Sequence, residues 1–212
     1  MRITKIERQK KHPSRKSVFI DDAFAFGVTD EVMVRFSLHQ GAELDKETVE
    51  KILLTENEET AKQKAFRFLA IRPRSKKEIR DYLSRKEYAE PTIANVVAKL
   101  ESMMMLDDLS FARMVCRDAL AKKPVGEKML RQGLFRKGVP KSIMETVVGE
   151  FFTPESELLL ALKAAELQRA RVRRSSKKID EVQLKKKILD FLVRRGFDFE
   201  TAMSATKQIL AE

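Results

Sequence analysis

The 212-residue chain is 43 % hydrophobic and 35 % charged, too apolar for a disordered polypeptide and rich in charge for a globular one. Its 7 Gly and 6 Pro are too few for the turns of an all-β fold, so an all-α main body is expected. The net charge of +11 points to a polyanion, or to a protein wrapped around one, as partner.

The N-terminus, MRITKIERQKKH, has no apolar centre and does not read as a signal peptide. The segments Arg2–Glu7, Ser17–Ile20 and Ala23–Phe26 cluster β-branched and aromatic residues around the turn pair Asp21-Asp22, predicting a small β-ribbon. Thr29-Asp30-Glu31 reads as a helix start, and Asp45 as the cap of a helix carrying Val49, Ile52 and Leu53. Residues 1–60 form this extension, and the rest is helical in pattern. The one cysteine, Cys116, excludes an internal disulfide and fits a reducing compartment. No stretch approaches the roughly 20 apolar residues of a membrane-spanning helix. A cytoplasmic, monomeric protein with no membrane partner is the expectation.

An internal repeat carries the most information. LSRKEYAEPTIANVVAKL from Leu83, LFRKGVPKSIMETVVGEF from Leu134 and LVRRGFDFETAMSATKQI from Leu192 superimpose without gaps, at offsets of 51 and 58 residues. Equivalent apolar sites are Leu83/Leu134/Leu192, Tyr88/Val139/Phe197, Val96/Val147/Ala205 and Leu100/Phe151/Ile209. Backward extension aligns Ile79/Leu130/Ile188. Each copy reads as helix–helix–helix, with Ser75 and Glu78 as a capping box, Pro154 in a first helical turn, and Gly138 and Gly196 as left-handed helix stops. The copies are set at 61–108, 109–156 and 157–212. One such unit has a thin core, and stacked neighbours bury the remaining apolar faces.

The copies also share cations: Lys77/Lys128/Lys186, Arg85/Arg136/Arg194 and Lys86/Lys137/Arg195. At about 100° per residue, Ile79 and Leu83 fall together while Lys77 and Arg85 oppose them. A basic ladder facing an acidic partner or phosphates is one reading. A solvated face with cations suited to helix C-termini is the other. Residues 169–187 hold nine basic and two acidic side chains, which suits phosphates or equally a connection between helices. The candidate partner-binding residues are Arg72, Arg74, Lys77, Arg80, Arg85, Lys86, Lys128, Arg131, Arg136, Lys137, Arg173, Arg174, Lys177, Lys178, Lys186, Arg194 and Arg195. Asp107-Asp108 reads as a helix N-cap, Met103–Met105 as core filling, and Cys116 as a buried apolar residue. His12 and His39 lack partners at ligand spacing, and there is no Gly-rich phosphate loop or nucleophile elbow. No catalytic site, metal or cofactor is expected.

Phe68-Leu69-Ala70-Ile71-Arg72-Pro73-Arg74-Ser75-Lys76-Lys77-Glu78-Ile79, then Leu83-Ser84-Arg85-Lys86, then Leu106-Asp107-Asp108-Leu109-Ser110-Phe111-Ala112-Arg113 resemble RecX regulatory proteins. Gly126–Leu130 and Arg136-Lys137-Gly138 add to the resemblance, as does Phe24-Ala25-Phe26-Gly27 as a β-ribbon extension. It implies three tandem three-helix repeats in a curved array. It further implies binding to RecA recombinase and its single-stranded DNA filament, with recombination, ATP hydrolysis and coprotease action mainly inhibited. A helical DNA-binding module acting without RecA is the alternative, and direct DNA contact stays open. Two residues depart from the family pattern: Met104 and Glu87 stand where it favours glycine. A side chain in a left-handed cap costs roughly 1–2 kcal/mol, so either those helix ends differ or the strain is tolerated.

Overall fold

The computed structural model describes residues 1–10, 14–174 and 179–211, so His12, Lys177 and Lys178 lie outside the described residues. Strands β1 (Ile3–Arg8), β2 (Arg15–Ile20) and β3 (Ala23–Thr29) form an antiparallel sheet in that order. Asp21 and Asp22 both take positive φ, 50° and 66°, the backbone of a two-residue turn whose twist matches its flanking strands. The third strand runs past Gly27, where the sequence pattern stops, as far as Thr29. Thr29 then caps helix α1 (Asp30–Arg35) by accepting the Val32 amide. Ile3, Val18, Phe26 and Val28 form one core with Val32, Leu38, Leu44 and Ile52.

Helix α2 (Lys46–Leu69) is capped by Asp45, whose carboxylate accepts the Thr48 amide at 2.7 Å. It runs unbroken through residue 60. Its Ile52 closes the core of the N-terminal extension, while Ala61 and Ala65 enter the core of the first repeat. Of Val49, Ile52 and Leu53, Ile52 is buried, Val49 packs beside it and Leu53 is exposed, because the inward stripe passes through Ile52. Helices α3 (Lys76–Ser84) and α4 (Glu90–Ser102) complete the first repeat. Helices α5 (Asp108–Lys122), α6 (Glu127–Arg136) and α7 (Lys141–Phe151) form the second, and α8 (Pro154–Arg174), α9 (Glu181–Arg194) and α10 (Phe199–Ala211) the third.

Each repeat closes its own core on equivalent residues. Leu83, Leu134 and Leu192 are all fully buried, as are Ile79 and Ile188, with Leu130 nearly so. Val96, Val147 and Ala205 face the same interiors from α4, α7 and α10. In α5 the inward stripe is Phe111, Ala112 and Cys116; Met114 and Val115 only flank it. The chain divides into two compact units, one of Met1–Arg74 and Ile79–Leu106, the other of Ser75–Glu78 and Asp107–Glu212.

Both departures from glycine keep the left-handed backbone: φ is 64° at Glu87 and 56° at Met104. The strain is therefore tolerated, and both side chains point into solvent. The Met103–Met105 run does not fill a core. All three residues are exposed, Met104 at 87 %. The reason is that α4 ends at Ser102, so the run forms the turn before α5 rather than a helix face.

Gly138 and Gly196 are held by packing as well as by φ. At Gly196, a Cβ would lie 2.4 Å from the Met129 nitrogen; at Gly126, it would lie 2.3 Å from the Gly196 carbonyl carbon. Here the turn after α9 meets the start of α6. The Gly126 amide donates to the Arg195 carbonyl (2.9 Å), the Lys128 amide to the Gly196 carbonyl (3.1 Å), and the Glu127 amide to the Glu157 carboxylate of α8 (3.4 Å). The second unit repeats this scheme at Ser75–Glu78. The Ser75 hydroxyl donates to the Lys137 carbonyl (2.5 Å), the Lys76 amide to the Asp108 carboxylate (3.0 Å), and the Lys77 stem leaves no room for a Cβ on Gly138. In both places a helix start, whose amides lack partners within the helix, is capped by the following repeat. Gly133, inside α6, has open space around it. Gly133→Ala is expected to stabilise the chain by about 0.5–1 kcal/mol through reduced unfolded-state entropy, read as a higher urea midpoint.

Candidate polyanion interface

The shared cations do not share one environment. Lys77, Lys128 and Lys186 are all exposed in the first two turns of α3, α6 and α9. Lys77 lays its stem along Gly138. Arg85 and Arg194 are exposed and turn back to the carbonyls of Asp81 and Asp190, four residues earlier, at 3.1 and 3.2 Å. Arg136 and Lys86 are exposed too. The third series splits. The Lys137 ammonium lies 3.7 Å from Glu78 and over the Phe111 ring, and Arg195 donates twice to the Pro124 carbonyl, at 2.7 and 3.1 Å. These two side chains brace unit 2 internally.

The remaining candidates divide similarly. Arg80 pairs with Glu90, and Arg131 with Glu127 one turn away. Arg74 stacks its guanidinium 3.7 Å from the Phe68 ring, which in turn stacks on Tyr82. Arg72 is exposed and donates to the Pro73 carbonyl. Arg173 and Arg174 are exposed on the last turn of α8. The basic run at 169–187 is largely helical: α8 carries it to Arg174 and α9 resumes it at Glu181. Within it, Arg169 turns inward to the Ile209 carbonyl. Among the described residues, Arg85, Lys86, Arg136, Arg173, Arg174, Lys186 and Arg194 are exposed cations without a carboxylate in salt-bridge contact, and Lys128 is exposed within electrostatic reach of Glu157 and Asp198.

Asp107 caps α5, accepting the Leu109 amide at 2.9 Å. Hydrogen bonds from Ser110 and the Leu109 amide hold its carboxyl below the ordinary aspartate range. Asp108 is buried and caps α3 instead. The sequence shows the pair but not that its members serve different helices. No group of three or more His, Cys, Asp and Glu residues among those described could hold a metal ion. No described helix is long and apolar enough to cross a membrane.

Burial pushes the Cys116 thiol up to about 11. The thiolate is the reactive form, so alkylation by iodoacetamide at neutral pH is expected only after unfolding. Labelling of the native chain at the rate of a free thiol would contradict the buried placement.

The fold and its repeated surface cations define a tandem three-helix repeat protein. Residues 1–45 match the description "Regulatory protein RecX N-terminal domain", residues 61–100 "RecX, first three-helix domain", and residues 107–148 "RecX, second three-helix domain". Regulatory protein RecX of Listeria monocytogenes serotype 4a (strain HCC23) is 32 % identical over the whole chain, which spans 77 % of that relative. Regulatory protein RecX of Bacillus subtilis (strain 168) is 32 % identical over 98 % of this chain and 76 % of its own. A crystal structure of a regulatory protein RecX superimposes with a TM-score of 0.76 at 26 % identity, covering 100 % of this chain and 99 % of the other. RecX from Lactobacillus salivarius shares the fold over 74 % of this chain, with a TM-score of 0.66. The chain belongs to the RecX family of regulatory proteins.

Proposed function

We propose that this chain binds RecA recombinase on single-stranded DNA and restrains filament growth, ATP hydrolysis, strand exchange and coprotease action in the cytoplasm. RecX membership supports the regulatory role. The observation that carries the mode of contact is the recurrence of an exposed lysine at one position of three linked repeats: Lys77, Lys128 and Lys186. A filament presents the same acidic feature many times, so linked repeats engage it at high effective concentration and weak contacts sum. Each exposed charge contact is worth only about 0.2–1 kcal/mol, so one Lys→Glu change has a mild effect. A helical module acting on DNA alone is the second reading, favoured by the unpaired cations on α8 and α9.

Co-sedimentation with RecA–single-stranded DNA filaments, with free RecA and bare DNA as controls, tests the proposal. Wild-type protein is expected to sediment with the filament more tightly than with either control. Reversing Lys77, Lys128 and Lys186 together is expected to weaken filament binding by about tenfold or more, equivalent to 1.4 kcal/mol, and to flatten its salt dependence. The fold should survive, because all three project into solvent and glutamate keeps the first two stem carbons that Lys77 lays on Gly138. Equal affinity for bare DNA would favour the DNA module.

A further inference from the structure

The geometry points to a peptide-binding hollow in the third repeat, selective for an acidic segment carrying one bulky apolar side chain. The hollow, about 380 Å³, opens between α8, α9 and the turn after α5. Pro124, Leu167 and Phe191 supply apolar walls, and Lys123, Arg171 and Arg195 bring three cations to it with no carboxylate in its lining. Leu167 is left 57 % exposed beside these cations. Arg195 is fixed in place by its two bonds to the Pro124 carbonyl, which also pin the opposite wall. Among the described residues no carboxylate pairs with Lys123 or Arg171.

The chemistry selects the occupant. The apolar walls reward burial of a Leu- or Phe-sized side chain, in proportion to the apolar area covered. The cations reward carboxylates on either side of it, and they reject a basic segment. A phosphodiester backbone gains nothing from apolar walls. One ring, that of the half-buried Phe191, is no platform for successive bases. A second hollow of about 420 Å³ shares Arg171 and Phe191 and adds Lys187 and Arg194, with Asp190 as its one carboxylate. It extends the basic track, so the segment continues along α8 and α9 beyond its anchor.

The test uses the full chain and labelled heptapeptides of alternating Glu and Asp, with the central residue Leu, Phe, Ala or Lys, read by fluorescence anisotropy. RecA is absent, so the outcome is independent of the function proposed above. The Leu and Phe peptides are expected to bind at least about tenfold more tightly than the Ala and Lys peptides. Leu167→Asp should abolish that preference, and Arg171→Glu should weaken all four acidic peptides; both substitutions lie at exposed positions of α8, and circular dichroism checks the fold. Oligothymidylate of equal charge should not displace the Leu peptide. The proposal is overturned if none of the peptides binds, if the central residue makes no difference, if Leu167→Asp leaves the preference intact, or if oligothymidylate competes as well as the peptide itself.

Discussion

Gly196→Ala is expected to loosen the third repeat from the second at a cost of about 3 kcal/mol. Two effects add. At φ of 86°, any side chain costs roughly 1–2 kcal/mol. The new Cβ would also stand 2.4 Å from the Met129 nitrogen, an overlap with backbone that no rotamer relieves and that costs a further 1–3 kcal/mol or so. Relief requires the turn after α9 to withdraw from α6, which strips the Gly126 and Lys128 amides of their carbonyl partners. Limited proteolysis should then cut the Lys123–Gly126 connection much faster than in wild type, while Gly133→Ala inside α6 leaves it resistant. Equal resistance in Gly196→Ala would show that the two repeats are not joined there.

Glu56→Ala is expected to cost about 3 kcal/mol or more in the first unit. Glu56 is a buried carboxylate in α2. One oxygen accepts the Thr29 amide (2.7 Å) and hydroxyl (3.1 Å), and the other faces the Arg15 guanidinium at 3.0 Å. One side chain thus ties β2, the end of β3 and the cap of α1 to the helix that continues into the first repeat. Removing it leaves a buried amide without a partner and a half-buried guanidinium without its counter-charge, a loss in the range of 3–5 kcal/mol for broken buried pairs. Glu56→Gln keeps an acceptor for Thr29 and should lose less. Amide hydrogen exchange in β2 and β3 reads the effect directly. Protection unchanged in Glu56→Ala would mean that the sheet is held by its apolar core alone.

The repeats were legible because their signal is apolar periodicity, which burial enforces at Leu83, Leu134 and Leu192 alike. Local capping was legible too: Asp45, Asp107 and the Ser75–Glu78 box act within four residues of their partners. What the sequence hides is nonlocal. Asp108 and Glu157 cap helices about thirty residues earlier, and nothing in their neighbourhood distinguishes them from ordinary first-turn carboxylates. Lys137 and Arg195 match Lys86 by position, yet they pack at joins while Lys86 stays in solvent. Glycine at 138 and 196 against glutamate at 87 was the available sign, since only the first two turns must admit a neighbour without a Cβ. Lys123 carries no sequence signal, because its place beside Arg171 and Arg195 comes from the packing of the third repeat against the turn after α5.

The proposed restraint of RecA on single-stranded DNA acts through contacts repeated along the chain. RecA-dependent ATP hydrolysis on single-stranded DNA, titrated with this protein at two salt concentrations, tests it most directly. The expected result is a progressive fall in hydrolysis with wild-type protein, weaker at the higher salt. A shift to higher concentration with the Lys77, Lys128 and Lys186 triple reversal should accompany it. Hydrolysis that stays constant at saturating wild-type protein would contradict RecA restraint. A folded triple variant that inhibits as well as wild type at both salt concentrations would contradict the repeated lysine contact.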